Sequence, residues 1–203
     1  MEKGSIFPLF YHPPIAYFSH LIKNPGTVLI EKHEHFPKQT YRNRTSIHSP
    51  NGKLDLIVPI SRGSKFHTSV KDVKISYEFK WQRMHLMSLQ TSYRSSAYFE
   101  FYEDELMPFY EKKWDFLFDY NEEILIFFIK ALKLQFNYSF TEEYQKEYAG
   151  FQDFRLAIHP KKNQQLNVTP YFQVFEERNG FLNNLSILDL LFNQGPQSKN
   201  YLL

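Results

Sequence analysis

The segment EKHEHFPKQTYRNR, residues 31–44, concentrates side chains that can hold an anion. Its basic members include Lys38, Arg42 and Arg44, and the two arginines flank Asn43 at alternate positions. Because a guanidinium group can grip phosphate or carboxylate through two parallel N–H donors, this spacing predicts an anion-binding pocket. The alternative is a solvated basic edge of the kind that keeps a strand from aggregating.

The same segment contains two histidines, His33 and His35, with the spacing of a strand. If the strand reaches that far, both imidazoles point the same way and could begin a metal site. A zinc site needs a third or fourth ligand at a recognisable spacing, and the sequence shows none. We therefore predict no metal and no cofactor. We interpret His33 and His35 as structural residues.

Two further groups could act as acids or bases. His85 follows Trp81 by four residues in a predicted helix, so the two rings are neighbours, and a histidine titrates near neutrality. A packed, structural ring is the alternative for His85. Glu100 and Asp104 share a helical face and could do acid–base work or hold a cation, although we favour a solvated helix face as their explanation.

Composition limits the classes of protein. The 203-residue chain has no cysteine, which excludes disulfides, thiolate metal sites and cysteine nucleophiles. Residues 1–94 carry 14 basic and 6 acidic side chains, whereas 95–203 carry 10 and 16, so a basic half can face an acidic half around an anionic ligand. The net charge of +2 is too small to predict a nucleic-acid partner.

Hydropathy predicts neither a signal peptide nor a membrane span. The first 18 residues lack a long apolar run after a basic region. The longest apolar run, 124–129, is far shorter than the roughly 20 residues of a spanning helix. We therefore expect a cytoplasmic protein.

The elements that must position these side chains form an α/β pattern. A strand near 5–10 leads through Pro13 and Pro14 into a helix, a second strand follows at 27–31, and Asn51-Gly52 predicts a hairpin turn. We predict an N-terminal strand–loop–helix–strand unit with a small mixed sheet, followed by a mainly helical C-terminal half. Helices are predicted over 76–96, 97–113 (ended or kinked near Pro108), 121–134 (capped by Asn121) and 184–196.

Five segments, taken in order, resemble the WbqC-like protein family and together span most of the chain. They are PLFYHPPIAYFSHL at 8–21, KQTYRNR at 38–44, NGKLDLIVPI at 51–60, WQRMHLMSLQTSYRSSAYFEFYEDEL at 81–106 and LSILDLLFNQGP at 185–196. The resemblance implies one WbqC-like domain over residues 1–203. It also implies a bacterial protein associated with surface polysaccharide and O-antigen assembly.

The resemblance also singles out positions of this chain. Those that match the family pattern are Asn43, Arg44, His85, Tyr98 and Asp189. Many relatives have a glutamine before the first Pro, where this chain has His12, which leaves the role of that position open.

These inferences predict a group-transfer enzyme that acts on a sugar nucleotide or similar anion in surface polysaccharide synthesis. His85 and Asn43 are the predicted catalytic residues. Arg42, Arg44, Lys38 and Tyr98 are the predicted substrate-binding residues. The alternative is a non-catalytic interaction or assembly protein of envelope biosynthesis, which predicts an exposed aromatic patch instead.

Overall fold

The computed structural model describes residues 4–61, 68–162 and 169–203 and confirms the predicted α/β class. The strands are β1 Gly4–Phe7, β2 Thr27–Ile30, β3 Arg44–Ser49, β4 Gly52–Ile57, β5 Tyr138–Phe140 and β6 Phe151–Asp153. The helices are α1 Ile15–Lys23, α2 Trp81–Tyr93, α3 Phe99–Glu111, α4 Leu117–Ala131, α5 Glu176–Asn179 and α6 Ile187–Gln194, with 3₁₀ turns at Val70–Asp72 and Gly195–Tyr201.

The strands divide into two sheets. β5, β2, β1 and β6 form a parallel sheet in that order, and β3 and β4 form an antiparallel hairpin. β1 lies inside the parallel sheet, where Gly4 is required because a Cβ there would lie 2.0 Å from the carbonyl oxygen of Thr27. β5 and β6 were not predicted. Each has three residues and lies in the half predicted to be mainly helical.

The strand order creates a switch point beside β1. The chain leaves β1 for β2 on one side and later reaches β6 on the other. The loops 8–14, 31–43 and 154–162 all begin where parallel strands end, at what we call the carboxyl edge. Ligands of open α/β sheets bind at this edge near the switch point, so these three loops are the first place to look for a site.

The hairpin forms as the sequence predicts. Gly52 adopts φ +94° in the turn, a conformation that a residue without a Cβ adopts easily. Leu56 and Val58 are buried, whereas Ile57 between them is 44% exposed. The period of two therefore sets which face of the hairpin packs on the core.

Helix boundaries differ from the prediction at two places. α2 begins at Trp81, which leaves Phe79 outside the helix and 70% exposed. α3 continues to Glu111, past Pro108, because a proline in the last turn removes only a bond at the helix end.

The most consequential difference concerns Asn121, which does not cap α4. The helix begins four residues earlier, at Leu117, and Phe116 occupies the N-cap position. Asn121 is instead buried, and its Nδ2 donates to the carbonyl oxygen of Arg42 at 2.7 Å. A residue predicted to begin a helix thus attaches α4 to the segment that carries the candidate arginines.

Asp189, one of the family positions, is a fully buried carboxylate in α6 without an ion-pair partner among the described residues. Tyr93 donates to its Oδ1 at 2.8 Å, and Tyr171 and Gln173 donate to its Oδ2 at 2.6 and 2.9 Å. Burial raises the pKa of Asp189 to about 6, although the three donors oppose this shift. The carboxylate joins α6, α2 and the 171–173 segment, so its role is structural.

We predict that Asp189→Asn alters how stability depends on pH. Since the pKa of Asp189 is higher in the folded than in the unfolded chain, its ionisation lowers stability by about 3 kcal/mol as pH rises from 4 to 6. Urea unfolding between pH 4 and 7 should show that the variant lacks this contribution. The exposed Asp104→Asn serves as the control, and identical pH profiles for Asp189→Asn and wild type would contradict the assignment.

Candidate functional site

Arg44, at the start of β3, is the candidate arginine whose charge lacks a partner. Its Nε is buried and has no hydrogen-bond acceptor among the described residues. Within the described ranges, no ion pair involves Arg44. A partly buried guanidinium without a carboxylate is costly, because water is removed from the cation and nothing replaces it.

His159 lies in the loop after β6, close enough to Arg44 for their charges to interact. Partial burial lowers the pKa of His159, and the positive charges of Lys162, Lys161, Arg42 and Arg44 lower it further. Its Nδ1 accepts a hydrogen bond from the backbone N–H of Lys161 at 3.1 Å, which leaves Nε2 as the donor of the neutral ring. We call Arg44, His159, Lys161 and Lys162 the basic cluster.

Arg42, predicted to bind substrate, is engaged inside the protein. It is 2% exposed, and its Nε and one terminal nitrogen both donate to Oε1 of Glu34, at 2.7 and 2.5 Å. The same terminal nitrogen donates to the carbonyl oxygen of Arg155. Burial raises the pKa of Glu34, while the charge of Arg42 opposes the shift. The carboxylate of Glu34 therefore already neutralises the Arg42 guanidinium.

A small internal cavity of about 10 Å³ adjoins this ion pair, and Glu31, Glu34, Arg42 and Asn121 supply its polar lining. The volume is about that of one water-sized probe, far below a phosphorylated metabolite. The Oδ1 of Asn121 is buried there without a partner among the described residues. Arg42 therefore faces a space that can hold a water molecule.

Arg155 connects the carboxyl ends of two strands. It follows β6 and reaches Oε2 of Glu31, just after β2, at 3.1 Å. It also binds both carboxylate oxygens of Asp153 and the carbonyl oxygens of residues 145 and 146. Because Arg42 donates to the Arg155 carbonyl, one network joins the loops that follow β2, β5 and β6.

His85 is buried in an aromatic cluster. Its Nδ1 lies 2.8 Å from the hydroxyl of Tyr11, and its ring centroid lies 5.1 Å from that of Trp81 in an edge-on arrangement. Burial lowers the pKa of His85 to about 4, although a backbone hydrogen bond at Ile57 acts in the opposite direction. The ring is therefore neutral at pH 7, and both of its nitrogens have neighbours in the fold.

His12 extends the same cluster. It is fully buried, its Nε2 lies 2.9 Å from the hydroxyl of Tyr110, and burial lowers its pKa to about 3. Its φ of +41° is unusual for a residue other than glycine. The carbonyl oxygen of His12 accepts bonds from the hydroxyls of Thr45 and Ser186, and these bonds hold the strained turn.

Asn43 is buried, and its Nδ2 donates to the carbonyl oxygen of Val58 at 3.0 Å. Its Oδ1 is buried and has no partner among the described residues. Asn43 lies in a bend one residue before β3 begins at Arg44. No hydrogen bond or ion pair between described residues joins Arg44 to His85. The two are connected through Ile57, which pairs with Arg44 in the hairpin and bonds His85 through its backbone.

The remaining predicted substrate-binding residues lie apart from the basic cluster or on the surface. Lys38 is exposed in the loop after β2. Tyr98 packs on Gly195, where a Cβ would lie 2.5 Å from the tyrosine ring, and its backbone N–H donates to Phe192. The ring of Tyr98 therefore fixes the junction of α3 and α6, and Gly195 is needed to admit it.

The predicted histidine pair does not have strand geometry, because β2 ends at Ile30. The described residues contain no group of three or more histidine, cysteine or acidic side chains arranged to hold a metal ion. The acidic pair on α3 is solvent-exposed, and Glu100 lies 4.0 Å from Arg94. Across the described ranges, no helix has the length and apolar character to cross a membrane.

Comparison with known proteins decides the family. The model of the WbqC-like protein family matches residues 10–163. The chain belongs to the WbqC-like protein family. It is 27% identical over 228 residues to uncharacterized protein Rv1507c of Mycobacterium tuberculosis (strain ATCC 25618 / H37Rv), with 100% of this chain and 98% of that protein covered. No solved structure matches the chain significantly.

Several site residues of this WbqC-like protein escaped the sequence analysis. His159, Arg155 and Glu34 acquire their roles from contacts between loops far apart in the chain, so spacing along the sequence gives no signal for them. The sequence offered one signal for Tyr11, which precedes His12 in a segment that resembles the family. Its partner His85, 74 positions away, follows only from the packing of α2.

We predict that His85 contributes to acid destabilisation. Its pKa is lower in the folded chain than the ordinary 6.5, so it stabilises the fold above pH 6.5, and this contribution of about 3 kcal/mol is lost as pH falls to 4. His85→Gln should flatten the stability profile over that range in urea unfolding. An imidazole NMR titration of His85 with a midpoint near 6.5 would contradict the burial argument.

Proposed function

We propose that this protein binds a phosphorylated or nucleotide-linked small molecule at the carboxyl edge of its parallel sheet, with Arg44 and His159 as the anion contacts. The observation that carries the proposal is the guanidinium of Arg44, whose Nε is buried without a partner among the described residues. Because this Nε is closed to solvent, an anionic ligand would provide the counter-charge at the terminal nitrogens of Arg44. Arg42, by contrast, already binds Glu34.

The charge around Arg44 supports this assignment. Four basic side chains form the basic cluster, and none of them is in an ion pair with another described residue. Burial lowers the pKa of His159, and the positive charges of Lys162, Lys161 and Arg44 lower it further. Like charges gathered without counter-charges favour an anion of more than one negative charge, such as a diphosphate.

We propose roles for the residues around this ligand. Arg44 and the Nε2–H of His159 would contact phosphate oxygens, and exposed Lys38 would extend the positive field. Asn43, whose Nδ2 donates to the carbonyl oxygen of Val58, would position Arg44 at the start of β3. His85 has a pKa of about 4 and a buried ring, which favours positioning Tyr11 and the hairpin over proton transfer at neutral pH.

We propose a transferase that uses a sugar nucleotide or similar anion in the cytoplasm during surface polysaccharide or O-antigen assembly, as membership of the WbqC-like family suggests. The sequence has no glycine-rich dinucleotide fingerprint, so group transfer suits it better than hydride transfer. We further propose that residues 1–203 act as one domain.

We predict that Arg44→Met abolishes ligand binding without unfolding the protein. Saturating UDP-glucose, GDP-mannose or dTDP-glucose should raise the wild-type melting temperature by several degrees, as expected from selective binding to the folded state. The variant should lose this shift. It should also melt at the same temperature as the wild type or higher, because an unpaired, partly buried charge has been removed.

The matched control is Arg83→Ala, which removes one positive charge from an exposed position on α2. It should keep the ligand-induced shift, so that loss of net charge alone is excluded as the cause. His159→Gln should weaken the shift as Arg44→Met does. If no nucleotide-linked sugar shifts the wild type, or if Arg44→Met responds like wild type, the proposal is wrong.

A non-catalytic interaction protein remains the second candidate. The observation that favours it is a set of exposed apolar side chains at α2: Phe79, Met84 and Met87 are 70%, 64% and 53% exposed. Met84 and Met87 are three apart and thus neighbours on one helix face. Binding of an envelope-biosynthesis protein that is lost in Met84→Ser/Met87→Ser but kept in Arg44→Met would favour this candidate.

A further inference from the structure

Helices α2 and α3 form an antiparallel pair on the surface of the protein. The side-chain amide of Gln82, at the start of α2, donates to the carbonyl oxygens of Phe109 and Lys112, at the end of α3, at 3.1 and 2.7 Å. Gln90, near the end of α2, donates to Glu103, near the start of α3, at 2.8 Å. Both helices bury one side in the core, so their opposite sides adjoin and face solvent together.

The outward side of α2 carries apolar and basic side chains. Its exposed members recur every three or four residues and therefore lie in one stripe, which we call the α2 face: Lys80, Arg83, Met84, Met87 and Thr91. Both methionines are more than half exposed. Among the described residues, no acid forms an ion pair with Lys80 or Arg83, and α2 itself contains no acid.

The outward side of α3 carries acidic side chains instead. Its exposed members also recur every three or four residues, and we call them the α3 face: Phe101, Asp104, Pro108 and Glu111. The ring of Phe101 is 69% exposed. Asp104 and Glu111 form no ion pair with any described residue, and α3 contains no basic side chain. A surface of opposite charge therefore lies directly beside the α2 face.

The two lysines that follow α3 are held against aromatic rings. Nζ of Lys112 lies 4.2 Å from the ring centroid of Trp114, and Nζ of Lys113 lies 5.3 Å from that of Tyr77. Cation–π contacts of this kind keep the two ammonium groups on neighbouring segments. Within the described part of the chain, the carboxylates of the α3 face thus have no paired cation.

The two faces complement each other in charge, and each exposes apolar side chains. They cannot meet within one chain, because both point away from the core on the same side of the helix pair. A second copy, rotated about a twofold axis parallel to the helices, would lay its α2 face on the α3 face of the first copy and its α3 face on the α2 face. We propose that the protein forms a symmetric dimer through these two faces. The same contact is then made twice, as in other isologous interfaces.

The antiparallel pairing determines which charges meet. Because Gln82 bonds the end of α3, Arg83 and Glu111 lie at the same height along the helix pair. In the dimer, Arg83 of each copy therefore faces Glu111 of the other, and the exposed apolar side chains continue the contact along the helices. The charge pairs fix the register, and burial of the apolar side chains supplies affinity.

Charge favours a second copy over other occupants of this surface. An anionic membrane or a nucleic acid would be attracted to the α2 face but repelled by the α3 face beside it. A second copy presents the matching charge to both faces at once. The dimer goes beyond the proposed function and does not depend on it, because the anion contacts lie at the carboxyl edge of the sheet.

The size of the surface sets the expected strength of the dimer. A helix of 13 residues is about 20 Å long, so two of them form a surface at the small end of specific interfaces. This size predicts a dissociation constant in the micromolar range. Added salt should weaken the dimer, because exposed charge pairs are screened.

The test is sedimentation velocity on the full chain at low salt, over roughly 2–200 µM. The wild type should shift from the 24.5 kDa monomer towards the dimer as its concentration rises. Arg83→Glu and Glu111→Arg should each weaken dimerisation about tenfold or more, because each brings like charges together at both contacts. An equimolar mixture of the two variants should dimerise like the wild type, since every contact between the different chains then joins opposite charges.

Both substitutions suit the helices that carry them. Arg83 lies in the first turn of α2 and Glu111 in the last turn of α3. An acid at the first position and a base at the second interact favourably with the helix dipoles, so both variants should fold. Circular dichroism and the melting temperature of each variant check this.

The matched control is Arg178→Glu, which makes the same charge change at an exposed position on α5 and should leave dimerisation unchanged. The proposal is overturned if the wild type stays monomeric over the whole range, if Arg83→Glu and Glu111→Arg dimerise like the wild type, or if their mixture does not regain the dimer. A monomer that binds a different protein through Met84 and Met87 would also overturn it and would assign the α2 face to the second candidate function.

Discussion

The buried ion-pair network at the carboxyl edge is the constraint on which the candidate site depends. Glu31 after β2 binds Arg155 after β6, and Glu34 binds Arg42, whose guanidinium also reaches the Arg155 carbonyl. Removing one member would leave an uncompensated charge in the interior, which typically costs about 3–5 kcal/mol. The network therefore sets the relative positions of the loops that follow β2 and β6.

Arg42 belongs to this ion-pair network, and Arg44 does not. The two arginines are two residues apart, and Arg42 donates to the carbonyl oxygen of Arg155 in the loop that carries His159. Arg42 is paired with a carboxylate, but Arg44 has none among the described residues. Glu34 neutralises Arg42, whereas no described carboxylate neutralises Arg44. A positive charge therefore stays at the edge where α/β proteins bind ligands.

The histidine–tyrosine cluster beneath the hairpin supports this edge from the other side. Tyr11 connects the loop after β1 to His85 on α2, and His12 connects the same loop to Tyr110 on α3. Both imidazoles are neutral at pH 7 because burial disfavours their charged forms. The strained backbone of His12 is thus held by side chains from two helices and by hydroxyls of Thr45 and Ser186.

The sequence by itself determined the class of fold, the first strand–helix–strand unit, the hairpin and the family, because hydrophobic period, Pro and Asn-Gly turns are local signals. It also placed Arg44 among the candidates. Only the tertiary structure decided that Arg42 is neutralised by Glu34, that Asn121 attaches α4 to Arg42, that Tyr98 packs on Gly195, and that His159 joins Arg44. The physical reason is that pairing and burial depend on which segments meet in space. β5 and β6 could not be predicted for the same reason. A strand of three residues is too short to show a hydrophobic period, and these two form because β2 and β1 offer them backbone partners.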